Sequence, residues 1–265
     1  MLFIKRPAMK KYNTVELKKY DGIACLSFNR PEVLNAMNRT MMDEIINALE
    51  AIVHDAAIRV AIITGKGKAF MAGADIKEYS NQTLAGFKKF QQKGKQLYSL
   101  IENADIPFIA AVNGFALGGG FEIALSCDLI VANHSARMGL PEVHLGLIPG
   151  GGGTQRLLQK IGLNRVKELL LLGQAYSASE MFNWGVVNMV AEESVFMETV
   201  NGLAEKLKRR PEQSLATLKK MLHPVFIEQP FMNRIDDEGQ AVMKLFYTPV
   251  AKELIKAFAE KKINS

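Results

Sequence analysis

Ala116–Leu145 reads ALGGGFEIALSCDLIVANHSARMGLPEVHL. It sets a triple glycine, Gly118–Gly120, beside one glutamate, Glu122, and brings in a second, Glu142, twenty residues later. Three glycines in a row leave backbone N–H groups unshielded, free to approach a ligand oxygen closely. The apolar run that follows, Phe121–Leu125, reads as a helix, so those N–H groups stand at its positive end. Donors aimed at an oxygen that gains charge, with two carboxylates nearby, are the parts needed for proton transfer beside a carbonyl.

Working outward, the flanking segments alternate strand and helix. Gly22–Phe28 reads as a strand ending at Arg30-Pro31, where the residue before proline is pushed out of the helical region. Thr40–Val53 carries Met41, Met42, Ile45, Ile46, Leu49 and Ile52 at helical spacing. Arg59–Thr64, Phe108–Val112 and Asp128–Ala132 read as short buried strands, and Leu84–Glu102 as a helix with Phe87, Phe90, Leu97 and Ile101 on one side. Apolar strands separated by helices imply parallel strands buried on both faces, an α/β fold. From Gly152 onward the pattern is nearly all helical, with candidates at 154–161, 165–172, 178–183, 195–209, 211–222, 231–246 and 250–261. Pro211 fits the first turn of its helix. The division expected is a basic N-terminal tail over 1–13, a β-rich core over 14–200 and a helical segment over 201–265.

Composition excludes several classes. Among 265 residues, 48% are hydrophobic and 23% charged, the balance of a water-soluble globular chain. No apolar run reaches the roughly 18 residues needed to cross a bilayer, so no membrane association is expected. MLFIKRPAMKKY has no apolar stretch or small-residue cleavage site of a secretory signal; a loose basic tail is the expectation, a short targeting remnant the alternative. Cys25 and Cys127 lie in apolar surroundings, which fits reduced thiols and a cytoplasmic location. The net charge of +6 is spread along the chain without an arginine-rich tract or aromatic ladder, so nucleic acid is not the expected partner.

Glycine runs are common, and the usual glycine-rich motifs do not fit this chain. Gly146–Gly153 (GLIPGGGG) lacks the Gly-Lys-Ser/Thr of a phosphate loop, and Gly118–Phe121 lacks the spaced glycines of a dinucleotide fold. No G-x-S-x-G places a nucleophilic serine. His54, His134, His144 and His223 form no H-E-x-x-H, and no metal site is expected. His144 is expected to pack near the site, the other three at the surface. Glu122 and Glu142 stand among apolar neighbours, where a carboxylate rarely goes without a partner. Either alone could be a satisfied structural acid; together with Gly118–Gly120 and Gly150–Gly153 they point to a site.

Four segments resemble the crotonase family, the enoyl-CoA hydratase/isomerase superfamily: Arg30–Asn38 (RPEVLNAMN), Lys68–Glu78 (KAFMAGADIKE), Ala110–Asp128 (AAVNGFALGGGFEIALSCD) and Leu140–Leu157 (LPEVHLGLIPGGGGTQRL). The likeness runs from about Thr14 to the end. It implies a spiral of β-β-α units followed by helices that assemble homotrimers or homohexamers. It also implies an acyl-CoA thioester substrate and no metal or redox cofactor, coenzyme A entering as part of the substrate.

By the same resemblance, the backbone N–H groups of Ala74 and Gly119 form an oxyanion hole, whose donors are worth roughly 3–4 kcal/mol each. Glu122 and Glu142 match the acid/base pair of the hydratases, with Glu142 as the main acid. Gly150 matches a backbone contact near the reacting water. Asn35, Ala36, Ala72, Gly73, Asp75, Ile76 and Lys77 match segments lining the groove for pantetheine and adenine. Isomerases that resemble this chain often keep a single glutamate at the Glu142 position, so retention of Glu122 implies hydration of a trans-2-enoyl-CoA to a 3-hydroxyacyl-CoA. A Δ3-Δ2 enoyl-CoA isomerase is the alternative; a thioester hydrolase or dehalogenase and an RNA-binding protein on the same scaffold stand further off. The C-terminal LFYTPVAKELIKAFAEKK departs from the family's acidic-Gly-Met-Phe pattern, so no nucleotide contact is carried over to Phe258 or Lys261.

Overall fold

The computed structural model describes residues 12–80, 83–223, 231–246 and 248–253. The tail over 1–11, Phe258, Lys261 and the end of the helix expected over 250–261 lie outside the described residues.

After an opening hairpin, each turn of the chain contributes one strand to each of two sheets. Strands β1 (Val15–Tyr20) and β2 (Ile23–Phe28) form an antiparallel hairpin, followed by helix α1 (Arg39–Val53). Then come β3 (Val60–Gly65), β4 (Ala69–Met71), α2 (Ile76–Tyr79) and α3 (Leu84–Glu102); β5 (Phe108–Val112), β6 (Phe115–Leu117) and α4 (Gly119–Ser126); and β7 (Leu129–Asn133) with β8 (Arg137–Gly139). The six-stranded sheet runs β1-β2-β3-β5-β7-β10, its last member being β10 (Met189–Ala191). The four-stranded sheet runs β4-β6-β8-β9, with β9 at Ala175–Ser177. This is a β-β-α spiral, and the six-stranded sheet is parallel except for its β1–β2 pair.

Alternation along the strands explains the two-sided burial. Ala61 and Ile63, Phe108 and Ala110, Ile130 and Ala132 pack toward the side that holds Met41, Ile45 and Leu49 of α1 and Leu97 of α3. Val60 and Ile62, Ile109 and Ala111, and Val131 pack toward Phe196, Val200 and Ala204 of α7 (Phe196–Lys208). With both faces covered, β5 is apolar throughout and β3 and β7 nearly so, as expected of buried parallel strands. Helix α1 starts at Asn38, whose side chain accepts a hydrogen bond from Met41 N at 2.8 Å and satisfies one orphan donor of the first turn. In α3, Leu97 and Ile101 are buried as expected, while Phe87 and Phe90 are half-buried.

The structure corrects the reading of the second half. Helices continue through α5 (Gly153–Leu172), α6 (Ala178–Asn183), α7, α8 (Glu212–Met221) and α9 (Phe231–Phe246), but β9 and β10 interrupt the region expected to be helical. At three residues each, both are too short to show a period of two, and they are strands because partners in β8 and β7 offer hydrogen bonds. The two helices expected over 154–161 and 165–172 are both present as the two arms of α5, parted at Gly162, whose φ of 72° and ψ of 167° are not helical. Pro211 is not in the first turn: at ψ 124° it is the non-helical cap just before α8. Position 200, the expected end of the core, falls inside α7, which belongs to the core packing.

Lys219 ties helix α8 to the core. Lys219 Nζ donates to Ile101 O at 2.9 Å and Ile106 O at 3.0 Å, pairs with Asp128 at 2.7 Å, and lies over the Phe108 ring.

Candidate active site

Two loops and two helical starts converge on one small volume. The first is the end of β4, where Gly73 takes φ 96° and Met37 pairs with Ala74 in an isolated parallel bridge. Met37 N donates to Gly73 O at 2.8 Å and Asp75 N to Met37 O at 3.0 Å. In a parallel bridge those two bonds use the residues on either side of Ala74, so the N–H of Ala74 points away from Met37. The second is the start of α4. Gly118, at φ 51° and ψ −128°, is its cap, and Gly119 is its first residue, whose N–H has no acceptor within the helix. Gly120 must be glycine: a Cβ there would stand 2.2 Å from Met71 O, so only a bare backbone lets α4 lie against β4.

Glu122, one turn into α4, is 3% exposed. Its Oε1 accepts hydrogen bonds from Gly151 N at 2.8 Å and Gly153 N at 2.9 Å, and its Oε2 lies 3.5 Å from the Tyr98 hydroxyl. Burial raises its pKa against the pull of those N–H groups, Arg156 and Tyr98. The glycines of the 150–153 loop thus hold the carboxylate rather than a phosphate.

Glu142 arrives on a short 3-10 helix, Pro141–Leu145, that follows β8. Its Oε1 lies 3.0 Å from where a Cβ on Gly118 would stand, and the same point is 3.7 Å from Gly73 Cα. Gly73, Gly118 and Glu142 are therefore neighbours although far apart in sequence. Its Oε2 is buried without a hydrogen-bond partner among the described residues. Burial, with the charge of Glu122 adding to it, pushes the Glu142 carboxyl up to about 7. A half-protonated acid with one idle oxygen can give or take a proton near neutral pH.

The remaining expected residues fall in two groups. Ala72 N donates to Leu34 O at 3.0 Å, Asp75 forms a 3.0 Å ion pair with Arg30, and Ile76 and Lys77 are exposed at the start of α2 beside the Gly73–Ala74 turn. Arg30 also donates to Ala36 O, which links the 30–36 loop to Asp75. Asn35 is different: it is fully buried at φ 58°, its amide donates to Lys66 O, Ala69 O and Phe70 O, and its Oδ1 accepts from Arg30 N. Its side chain holds two loops together and leaves only backbone for a ligand. Gly150 is exposed, and a Cβ on it would stand 2.7 Å from Gln91 Nε2 of α3. His144 reaches Gly173 O at 3.2 Å; His54 and His134 are exposed and His223 is half-buried.

Sequence reading missed Tyr98, Arg156 and Glu102. Arg156 donates to Gly151 O, pairs with both oxygens of Glu102 at 2.6 and 2.9 Å, and stacks 5.2 Å over the Tyr98 ring. Tyr98 sits one residue past Leu97 in the buried stripe of α3, the one signal that could have placed it here. For Arg156 and Glu102 the sequence offers only charge.

The sequence profile of the enoyl-CoA hydratase/isomerase family matches residues 18–264. The chain belongs to that family. It is 37% identical over 251 residues to the short-chain-enoyl-CoA hydratase of Clostridium acetobutylicum, covering 94% of this chain and 96% of that protein. It is also 37% identical over 252 residues to the crotonyl-CoA hydratase of Syntrophomonas wolfei, covering 95% and 96%. The crystal structure of enoyl-CoA hydratase from Bacillus anthracis superposes with a TM-score of 0.89 at 33% identity, covering 94% of this chain and 97% of that one. Among the described residues, no helix is long and apolar enough to cross a membrane.

Proposed function

We propose that the chain is an enoyl-CoA hydratase, adding water across the C2–C3 double bond of a trans-2-enoyl-CoA to give a 3-hydroxyacyl-CoA. The observation that carries this reading is the unlike pair of acids. Glu122 is held by two N–H groups, Glu142 has an oxygen without a hydrogen-bond partner among the described residues, and the Glu122 charge raises the cost of ionising Glu142. The thioester oxygen would lie between the N–H groups of Ala74 and Gly119. Glu122 would orient a water at C3 and take its proton as the C3–O bond forms. The electron pair of the double bond would move toward the thioester oxygen, and Glu142 would deliver its proton to C2. Polarised by two amides, that oxygen carries the developing charge where donors are already in place. Gly150 would contact the water, and the 30–36 and 72–77 segments would take the pantetheine and nucleotide, coenzyme A being part of the substrate.

An isomerase needs one carboxylate to shuttle a proton between carbons; the retained pair and the hydratases among the relatives do not favour it. A homotrimer or homohexamer is supported by large apolar side chains left exposed on this chain, Leu145, Ile148, Leu163, Leu171 and Leu172 among them. A cytoplasmic location is supported by two free cysteines, one of them buried.

Loss of the conjugated-enoyl absorbance of crotonyl-CoA, with 3-hydroxybutyryl-CoA identified as product, tests the activity. Wild-type protein that leaves enoyl-CoA substrates of every length unchanged refutes it.

A further inference from the structure

The hydroxyl of Tyr98 is buried inside the reaction volume, and the mechanism above gives it no part. It lies 3.5 Å from Glu122 Oε2 and 3.6 Å from where a Cβ on Gly119 would stand, so it borders both the carboxylate and the α4 amide proposed for the thioester oxygen. A Cβ on Gly151 would stand only 2.4 Å from it, so the 150–153 loop closes over the phenol. The ring is fixed from the other side by Arg156, itself locked by Glu102 and by Gly151 O.

We propose that Tyr98 is a positioning residue for Glu122, its hydroxyl donating to the Oε2 that faces the water, with the Arg156–Glu102 pair holding the ring in place. Glu122 Oε1 is already occupied by two N–H groups, so the direction of Oε2 decides where a water can be held. At 3.5 Å the contact is longer than a full O–H···O bond. Such contacts tighten when substrate fills the site. The phenol remains a donor throughout, because burial and then the Glu122 charge drive its pKa well above the ordinary tyrosine value. The ionisable groups facing Glu122 are Tyr98 and, behind it, Glu102 from α3, Arg156 from α5, and Glu142 from the 3-10 helix. Among the described residues, Tyr98 is the one of these that comes within hydrogen-bonding reach of the carboxylate, beside the amides of Gly151 and Gly153.

This inference rests on the hydratase reading. Its test is kcat/KM for crotonyl-CoA hydration against pH, for wild type, Tyr98→Phe and a protein carrying 3-fluorotyrosine at position 98. Removing a donor to the charged carboxylate raises the pKa of Glu122, so Tyr98→Phe moves the acidic limb to higher pH and lowers kcat about tenfold, with KM within about twofold. Fluorotyrosine keeps the ring's shape and is a stronger donor, so it moves the same limb the other way. The alkaline limb, set by Glu142, stays in place in both. A role in packing alone lowers stability or rate without moving the limb. A wild type with no turnover removes the hydratase reading and this inference with it. An active wild type whose acidic limb is shared by both variants overturns the role of Tyr98 alone.

Discussion

Gly118 and Glu142 stand so close that a methyl group on Gly118 would lie 3.0 Å from Glu142 Oε1. That contact is tighter than an ordinary carbon–oxygen approach, and Gly118 also holds φ 51°, which an L side chain resists. Gly118→Ala is therefore expected to shift both the carboxylate and the first turn of α4. A displacement of about 1 Å at a reacting group costs about a hundredfold in rate. Steady-state kinetics on crotonyl-CoA should show that loss in kcat while the affinity for saturated butyryl-CoA changes little.

Glu122→Gln and Glu142→Gln separate the two acids. Each should lower hydration by about 10²–10⁴-fold, the usual worth of a positioned acid or base. Glu122→Gln can still accept from Gly151 and Gly153 through its amide oxygen, so the loop should survive and the loss be chemical. Any Δ3-to-Δ2 isomerisation should persist better in Glu122→Gln than in Glu142→Gln, measured with a 3-enoyl-CoA.

The pH dependence follows from the pair sharing one proton. With Glu142 pushed up to about 7, the form carrying a proton on Glu142 and none on Glu122 is lost as pH rises through that value. Hydration should fall on the alkaline side with an apparent pKa near 7. Dehydration should show the same limb, because its starting form holds the same number of protons on the pair. Profiles of kcat/KM in the two directions that diverge above pH 7 would contradict a shared proton.

The same shift predicts a stability effect. A carboxyl whose folded pKa is raised from 4.5 to about 7 contributes stability fully below pH 4.5 and loses it as pH climbs through 7. Glu142→Gln escapes that loss. After allowance for solvent screening of a partly exposed group, the variant should gain about 1–2 kcal/mol over wild type at pH 8 relative to pH 5. Thermal melts at the two pH values measure the difference.

Much of this was legible in the chain. Strands β2, β3, β5 and β7 carry five or six mostly apolar or small residues, and α1 carries a regular stripe, so burial alone betrays them. The glycine positions were legible because their lack of a side chain is itself the signal. The short strands β4, β6, β8, β9 and β10 were not, since three residues carry no period and their pairing partners are distant in sequence. Asn35 reads as a polar turn residue, yet it is fully buried as a bracket between loops, a role that depends on carbonyls more than thirty positions away. Tyr98, Arg156 and Glu102 become a unit only once α3 and α5 pack together, so no local pattern marks them.

The pairing of β10 with β7 has a bearing on synthesis. Both glutamates and the glycine turns lie before residue 154, whereas the strand that covers the flank of β7 is made of residues 189–191. A growing polypeptide therefore holds every acid of its reaction centre while one flank of its larger sheet is bare. Over that interval the uncovered Leu129–Asn133 backbone is open to mispairing with another nascent chain, and a ribosome pause before codon 189 prolongs the hazard.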